Sequence, residues 1–90
     1  MSGKKNILLK SEEKRSLSEV ARFFRELAAK IESGHLTLTQ GSEEYHLNLP
    51  DPVTLELELE DKQKKGRSKR QFEIEIEWYP GEEGSSVELG

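Results

Sequence analysis

From Val53 to Trp78 the chain alternates apolar and acidic residues on either side of a basic stretch, and this pattern leaves few folds open. Val53, Leu55, Leu57 and Leu59 alternate with Thr54, Glu56, Glu58 and Glu60. Phe72, Ile74, Ile76 and Trp78 alternate with Glu73, Glu75 and Glu77. A period of two is that of a β-strand with one face apolar and the other in water. Two such strands joined by a short connection make an antiparallel hairpin. A turn at Lys65-Gly66 pairs Leu59 with Phe72, Leu57 with Ile74, Leu55 with Ile76 and Val53 with Trp78. A turn at Gly66-Arg67 shifts the pairing by two residues and keeps the same face apolar. The two registers stay open at this point. Pro50-Asp51-Pro52 breaks any ladder before the hairpin, because two of the three residues lack a donor.

Upstream, Leu36 and Leu38 alternate with His35, Thr37 and Thr39, and Tyr45, Leu47 and Leu49 with Glu44, His46 and Asn48. Gly41-Ser42 between them fits a two-residue turn with glycine first, which sets Leu38 against Tyr45 and Leu36 against Leu47. Before this hairpin, Leu17, Val20, Ala21, Phe24, Leu27, Ala28 and Ile31 recur at spacings of three and four, the apolar stripe of a helix over 17–33. Ser16-Leu17-Ser18-Glu19 has the capping-box pattern at its start, and Ser33-Gly34 supplies the stop. Residues 4–10 read as a short first strand, paired either in parallel across the helix or antiparallel at the other edge of the sheet.

These elements predict an α+β fold in the order β-α-β-β-β-β. One amphipathic helix packs on one face of a mainly antiparallel sheet of four to five strands. Residues 1–80 make a single domain, and 81–90 a flexible acidic tail.

The chain carries 14 bases and 18 acids, a formal net charge of −4, which by itself argues against a generally cationic nucleic-acid binder. The charge is segregated, however. Residues 62–70 hold six bases and no acid, leaving 8 of the 14 bases to face all 18 acids, a net −10 elsewhere. The absence of cysteine excludes disulfides, thiol catalysis and cysteine-ligated metals. No segment has the pattern of a signal peptide or a membrane span, so the expectation is a soluble cytoplasmic protein without membrane contact.

The run Ser11-Glu12-Glu13-Lys14-Arg15-Ser16, the helix ending at Ser33-Gly34 and the closing Phe72-Glu-Ile-Glu-Ile-Glu-Trp78 together resemble the amphi-Trp domain family, over roughly residues 5–80. That family is named for an amphipathic strand carrying a tryptophan near its C-terminal end. The resemblance implies a small domain of bacteria and archaea with no established biochemical activity. It carries over no catalytic residue, because the motif concerns packing.

The candidate sites follow from charge and face. Glu56, Glu58, Glu60, Glu73, Glu75 and Glu77 form an acidic face, with Glu58 opposite Glu73 and Glu56 opposite Glu75 in the first register. Such a face keeps a sheet in solution, or meets a basic partner. Splayed carboxylates on a flat sheet do not converge as a cation site requires, and no metal is expected. Lys62, Lys64, Lys65, Arg67, Lys69 and Arg70 form a basic hairpin tip suited to an anion or an acidic partner. The tip contains no aromatic residue to stack on bases. His35 and His46 fall on the outer face of their hairpin near Glu44, and exposed histidines are the reading there. Phe23, at the flank of the helical stripe, and Trp78 are candidates for an aromatic patch.

No nucleophile–base set and no glycine-rich phosphate loop occurs, and a helix covering the one concave face leaves little room for a pocket. The expectation is therefore a non-catalytic interaction module without a cofactor. Its partner would be a protein or a second copy of itself; the alternative is weak, sequence-independent nucleic-acid binding through the 62–70 tip.

Overall fold

The computed structural model describes residues 3–81. The secondary structure is one helix, α1 (Leu17–Ser33), followed by four strands, β1 (His35–Gln40), β2 (Glu43–Asn48), β3 (Thr54–Lys64) and β4 (Arg67–Glu77). The chain divides into two compact units, Met1–Leu47 and Asn48–Gly90. The acidic tail expected at 81–90 lies outside the described residues beyond Gly81.

In the first unit, α1 has the ends that the sequence predicts. The Glu19 amide donates to the Ser16 hydroxyl at 3.1 Å, and the Glu19 carboxylate accepts from the Ser16 amide at 2.9 Å, closing the capping box. These bonds, with Arg15 beside it, hold the Glu19 carboxyl below its usual range. Gly34 takes φ 83° and its amide donates to the Ile31 carbonyl at 2.9 Å, a left-handed C-cap that a side chain would strain. Ser16→Ala removes the cap acceptor and is expected to lower helix stability by about 1 kcal/mol. Loss of helical circular dichroism at a lower temperature checks it.

β1 and β2 pair through a turn at Gly41-Ser42, with Gly41 at φ 60°. Leu36, Leu38, Tyr45 and Leu47 are half-buried while their neighbours are exposed, so the alternation is real. The Thr37 hydroxyl hydrogen-bonds His46 Nδ1 at 3.1 Å, the cross-strand pair that a two-residue turn there requires.

Residues 4–10, expected as a first strand, form none. Side chains hold this segment instead: the Tyr45 hydroxyl donates to the Leu8 carbonyl at 3.0 Å, and Gln40 Nε2 to the Lys10 carbonyl at 2.8 Å. Carbonyls engaged by side chains in this way do not require a partner strand.

The second unit is a long two-stranded ribbon. β3 and β4, each of 11 residues, pair antiparallel from Thr54↔Glu77 to Lys64↔Arg67, with Leu55↔Ile76, Leu57↔Ile74 and Leu59↔Phe72 between. Of the two registers open from sequence this is the Lys65-Gly66 one. Lys65 takes φ 53° and Gly66 φ 73°, and left-handed φ at both central residues is a type I′ turn, whose twist matches that of the strands.

The single sheet of four to five strands differs from what is observed. The described residues form two separate two-stranded sheets, β1-β2 and β3-β4. Between β2 and β3 lie Pro50 and Pro52, the latter after a cis peptide bond, and neither proline can donate to a ladder. Nor is there a buried core among the described residues: Leu57, Leu59, Phe72 and Ile74 remain 59, 68, 62 and 42% exposed. A two-stranded ribbon has no second layer of its own to cover an apolar face.

Candidate functional site

The β3–β4 ribbon gathers most of the residues singled out from sequence, and its register assigns each one a face. Side chains alternate along a strand and opposed residues share a face. One face therefore carries Leu55, Leu57, Leu59, Phe72, Ile74 and Ile76, and continues towards the turn with Asp61 and Arg70, then Gln63 and Ser68. The other face is charged along its whole length. Glu56, Glu58, Glu60, Glu73, Glu75 and Glu77 occupy the half away from the turn, and Lys62, Lys64, Arg67 and Lys69 the half nearest it. The sign changes once, at the pair Glu60↔Gln71.

Five of the six tip bases thus act apart from the sixth. Arg70 lies on the apolar face and is neutralised there: its Nε donates to Asp61 Oδ1 at 2.8 Å and its Nη2 to Oδ2 at 3.1 Å. This bidentate bond holds the Asp61 carboxyl below its usual range and raises the guanidinium further. Lys62 Nζ leans on Glu60 at 3.8 Å, across the sign change. Lys64, Lys65, Arg67 and Lys69, with Ser68, line a concavity of about 320 Å³ at the tip.

Within the ribbon, like faces like. Glu56 opposes Glu75 and Glu58 opposes Glu73 in the acidic half, while Lys62 opposes Lys69 and Lys64 opposes Arg67 in the basic half. Directly opposed like charges destabilise a strand pair. The Glu58 carboxyl is pushed above the ordinary 4.5, first by Glu60 two residues along its own strand and then by Glu73 opposite it. Glu77 is raised by desolvation first, then by Glu56 and Glu75. A carboxyl raised in the folded state binds its proton more readily there than when unfolded. The ribbon's acidic half therefore loses stability as pH rises through the window just above 4.5. The Asp61–Arg70 pair has the opposite sign. Its contribution is present above 3.8, the ordinary value for aspartate, and is lost as pH falls through the lowered one.

Glu56, Glu75 and Glu77 bring one carboxylate oxygen each within 4.8 Å of one another, all on exposed side chains. Gln71 Nε2 donates to Glu73 Oε2 at the boundary between the halves.

The remaining candidates lie elsewhere. His46 uses both ring nitrogens, Nδ1 with Thr37 and Nε2 with Glu44 Oε1 at 3.2 Å; among the described residues the histidines join no ligand-like cluster. Phe23 is 57% exposed and packs edge-to-face on Phe24 at 5.7 Å in the first unit. Trp78 belongs to the second unit. It is half-buried and lines a cleft of about 550 Å³ with Pro52, Val53, Thr54, Glu77 and Tyr79 at the open end of the ribbon. No helix among the described residues is long and apolar enough to cross a membrane.

In sequence Arg70 is continuous with the basic tip, and the spacing alone leaves the residue opposite each base open between the two registers. Counting positions outward from the Lys65-Gly66 turn separates them, since Arg70 then falls opposite Asp61.

The amphipathic strand β4 leads directly into Trp78. The family model of the Amphi-Trp domain matches residues 2–90. The chain belongs to the Amphi-Trp domain family. No curated protein and no solved structure matches it significantly. In this Amphi-Trp domain the amphipathic strand next to the tryptophan is β4, with Trp78 one residue beyond its last ladder pair.

Proposed function

We propose that this Amphi-Trp domain is a non-catalytic cytoplasmic interaction module that acts by protein–protein contact or self-association. The observation that supports this reading most is the β3–β4 ribbon, which carries largely exposed apolar residues on one face and charges sorted by sign along the other. Same-sign clusters on an exposed sheet suit electrostatic recognition and steering of a partner. An apolar face of this extent suits contact with another surface. A pull-down from native lysate, run with and without nuclease, tests the reading. Capture that survives nuclease is expected, and capture of nothing but nuclease-sensitive material contradicts it.

A second reading rests on the tip. Lys62, Lys64, Arg67 and Lys69 share one face, with Lys65 in the turn between them, an arrangement that can reach successive phosphates. Weak, sequence-independent nucleic-acid binding would then fall with salt at a slope of about −0.9 per phosphate neutralised. On this reading Lys64→Ala, Lys65→Ala, Arg67→Ala and Lys69→Ala combined weaken binding and flatten that slope. A wild-type protein that binds neither DNA nor RNA at low salt disposes of it.

A further inference from the structure

The geometry points to a specific partner for the open edge of β4: a second copy of the same strand, paired antiparallel over its full length about a twofold axis at Phe72. This deepens the self-association reading above and rests on it. A two-stranded sheet leaves the outer edge of β4 with unpaired main-chain donors and acceptors, and among the described residues no strand occupies that edge. A ribbon of two strands is also marginal alone, whereas four strands are not.

The register follows from the charges. β4 spans Arg67–Glu77, so its midpoint is Phe72. Its charged face reads Arg67, Lys69, Gln71, Glu73, Glu75, Glu77, with the bases at one end and the acids at the other. Set antiparallel against itself about Phe72, the strand places Arg67 beside Glu77 of the other copy, Lys69 beside Glu75, and Gln71 beside Glu73. On the apolar face Phe72 meets its own copy, Arg70 meets Ile74 and Ser68 meets Ile76. No like charges are opposed, in contrast to the pairs that β3 imposes on β4 within one ribbon. Shifting the axis to Glu73 opposes glutamate to glutamate, and shifting it to Arg70 opposes arginine to arginine. The edge of β3 is a poorer match: pairing Thr54–Lys64 with itself sets Glu58 beside Glu60, like beside like. The closed twofold pairing is isologous, and strand addition of this kind draws affinity from main-chain bonds and specificity from the side-chain register.

The test is sedimentation of the full chain at low and high salt, with charge-reversal variants. Wild type is expected to form a dimer that weakens as salt rises. Lys69→Glu places two acids together across the axis and is expected to weaken the dimer by roughly tenfold or more. Adding Glu75→Lys restores opposite charges and the dimer. Neither change harms the ribbon itself, because Lys69 opposes Lys62 and Glu75 opposes Glu56; a Lys69→Glu protein that melts no lower than wild type, both compared at a concentration where wild type is monomeric, separates lost pairing from lost folding. Phe72→Cys supplies a second readout. Opposed Cα atoms about 4.5–5.5 Å apart permit a disulfide, while Glu77→Cys sulfurs lie at opposite ends of the pairing. Cross-linking of the first and not the second is expected. Self-association indifferent to Lys69→Glu and to Phe72→Cys overturns the β4 pairing and leaves self-association standing. A monomer at every concentration and salt overturns both.

Discussion

Leu57→Glu combined with Ile74→Glu is expected to abolish the cooperative unfolding of the ribbon. These residues oppose each other on the apolar face and are 59 and 42% exposed, so each has withdrawn about half of its side chain from water. Losing that share of two side chains costs about 1 kcal/mol each, and opposed carboxylates add a few tenths more. About 2–3 kcal/mol is decisive for a two-stranded element, which is marginal to begin with. Trp78, one residue beyond the ladder, reports the loss by fluorescence during a thermal melt. A melt unchanged from wild type places the apolar contacts elsewhere.

Gly66→Val is expected to be the most damaging single substitution at the tip. Gly66 sits at φ 73° beside Lys65 at φ 53°. A β-branched residue in the left-handed region costs about 1–2 kcal/mol, and no neighbouring atom crowds the site, so the effect is one of backbone conformation. The strands would then have to find another turn, and the alternation allows a register shifted by two. Strand-to-strand NMR contacts distinguish the outcomes: the Leu59–Phe72 contact is expected to weaken or move, and its retention at full strength contradicts the turn's role.

These residues also show why some features were legible from sequence and others were not. The ends of α1 are set by Ser16, Glu19 and Gly34, which act within a few residues of themselves, so the helix over 17–33 is observed where the pattern places it. The two hairpins were legible because alternation and a glycine turn agree. The register of the second was not: Gly66 serves equally as first or second turn residue, and the choice depends on whether Lys65 accepts a left-handed φ. The pairing of residues 4–10 was illegible because Ile7-Leu8-Leu9 carries no alternation. The expectation of one sheet failed at a non-local step. Facing apolar patterns say which side of a strand is apolar but not which strand lies beside it, and Pro50 and Pro52 interrupt the connection. At the candidate site, composition located the basic stretch, whereas only the register shows that Arg70 is paired with Asp61 while Lys62, Lys64, Arg67 and Lys69 share the face of the glutamates.

In the proposed dimer the open edge of β4 is where the molecule meets its partner. Alternate β4 amides point away from β3, and in an unpaired ribbon they exchange with solvent freely. Residue-resolved hydrogen exchange over a series of protein concentrations at low salt tests this most directly. Protection of those outward amides is expected to rise with concentration while that of the outward β3 amides does not, and salt is expected to reverse the rise. Protection of the β4 edge that is independent of both concentration and salt would contradict it.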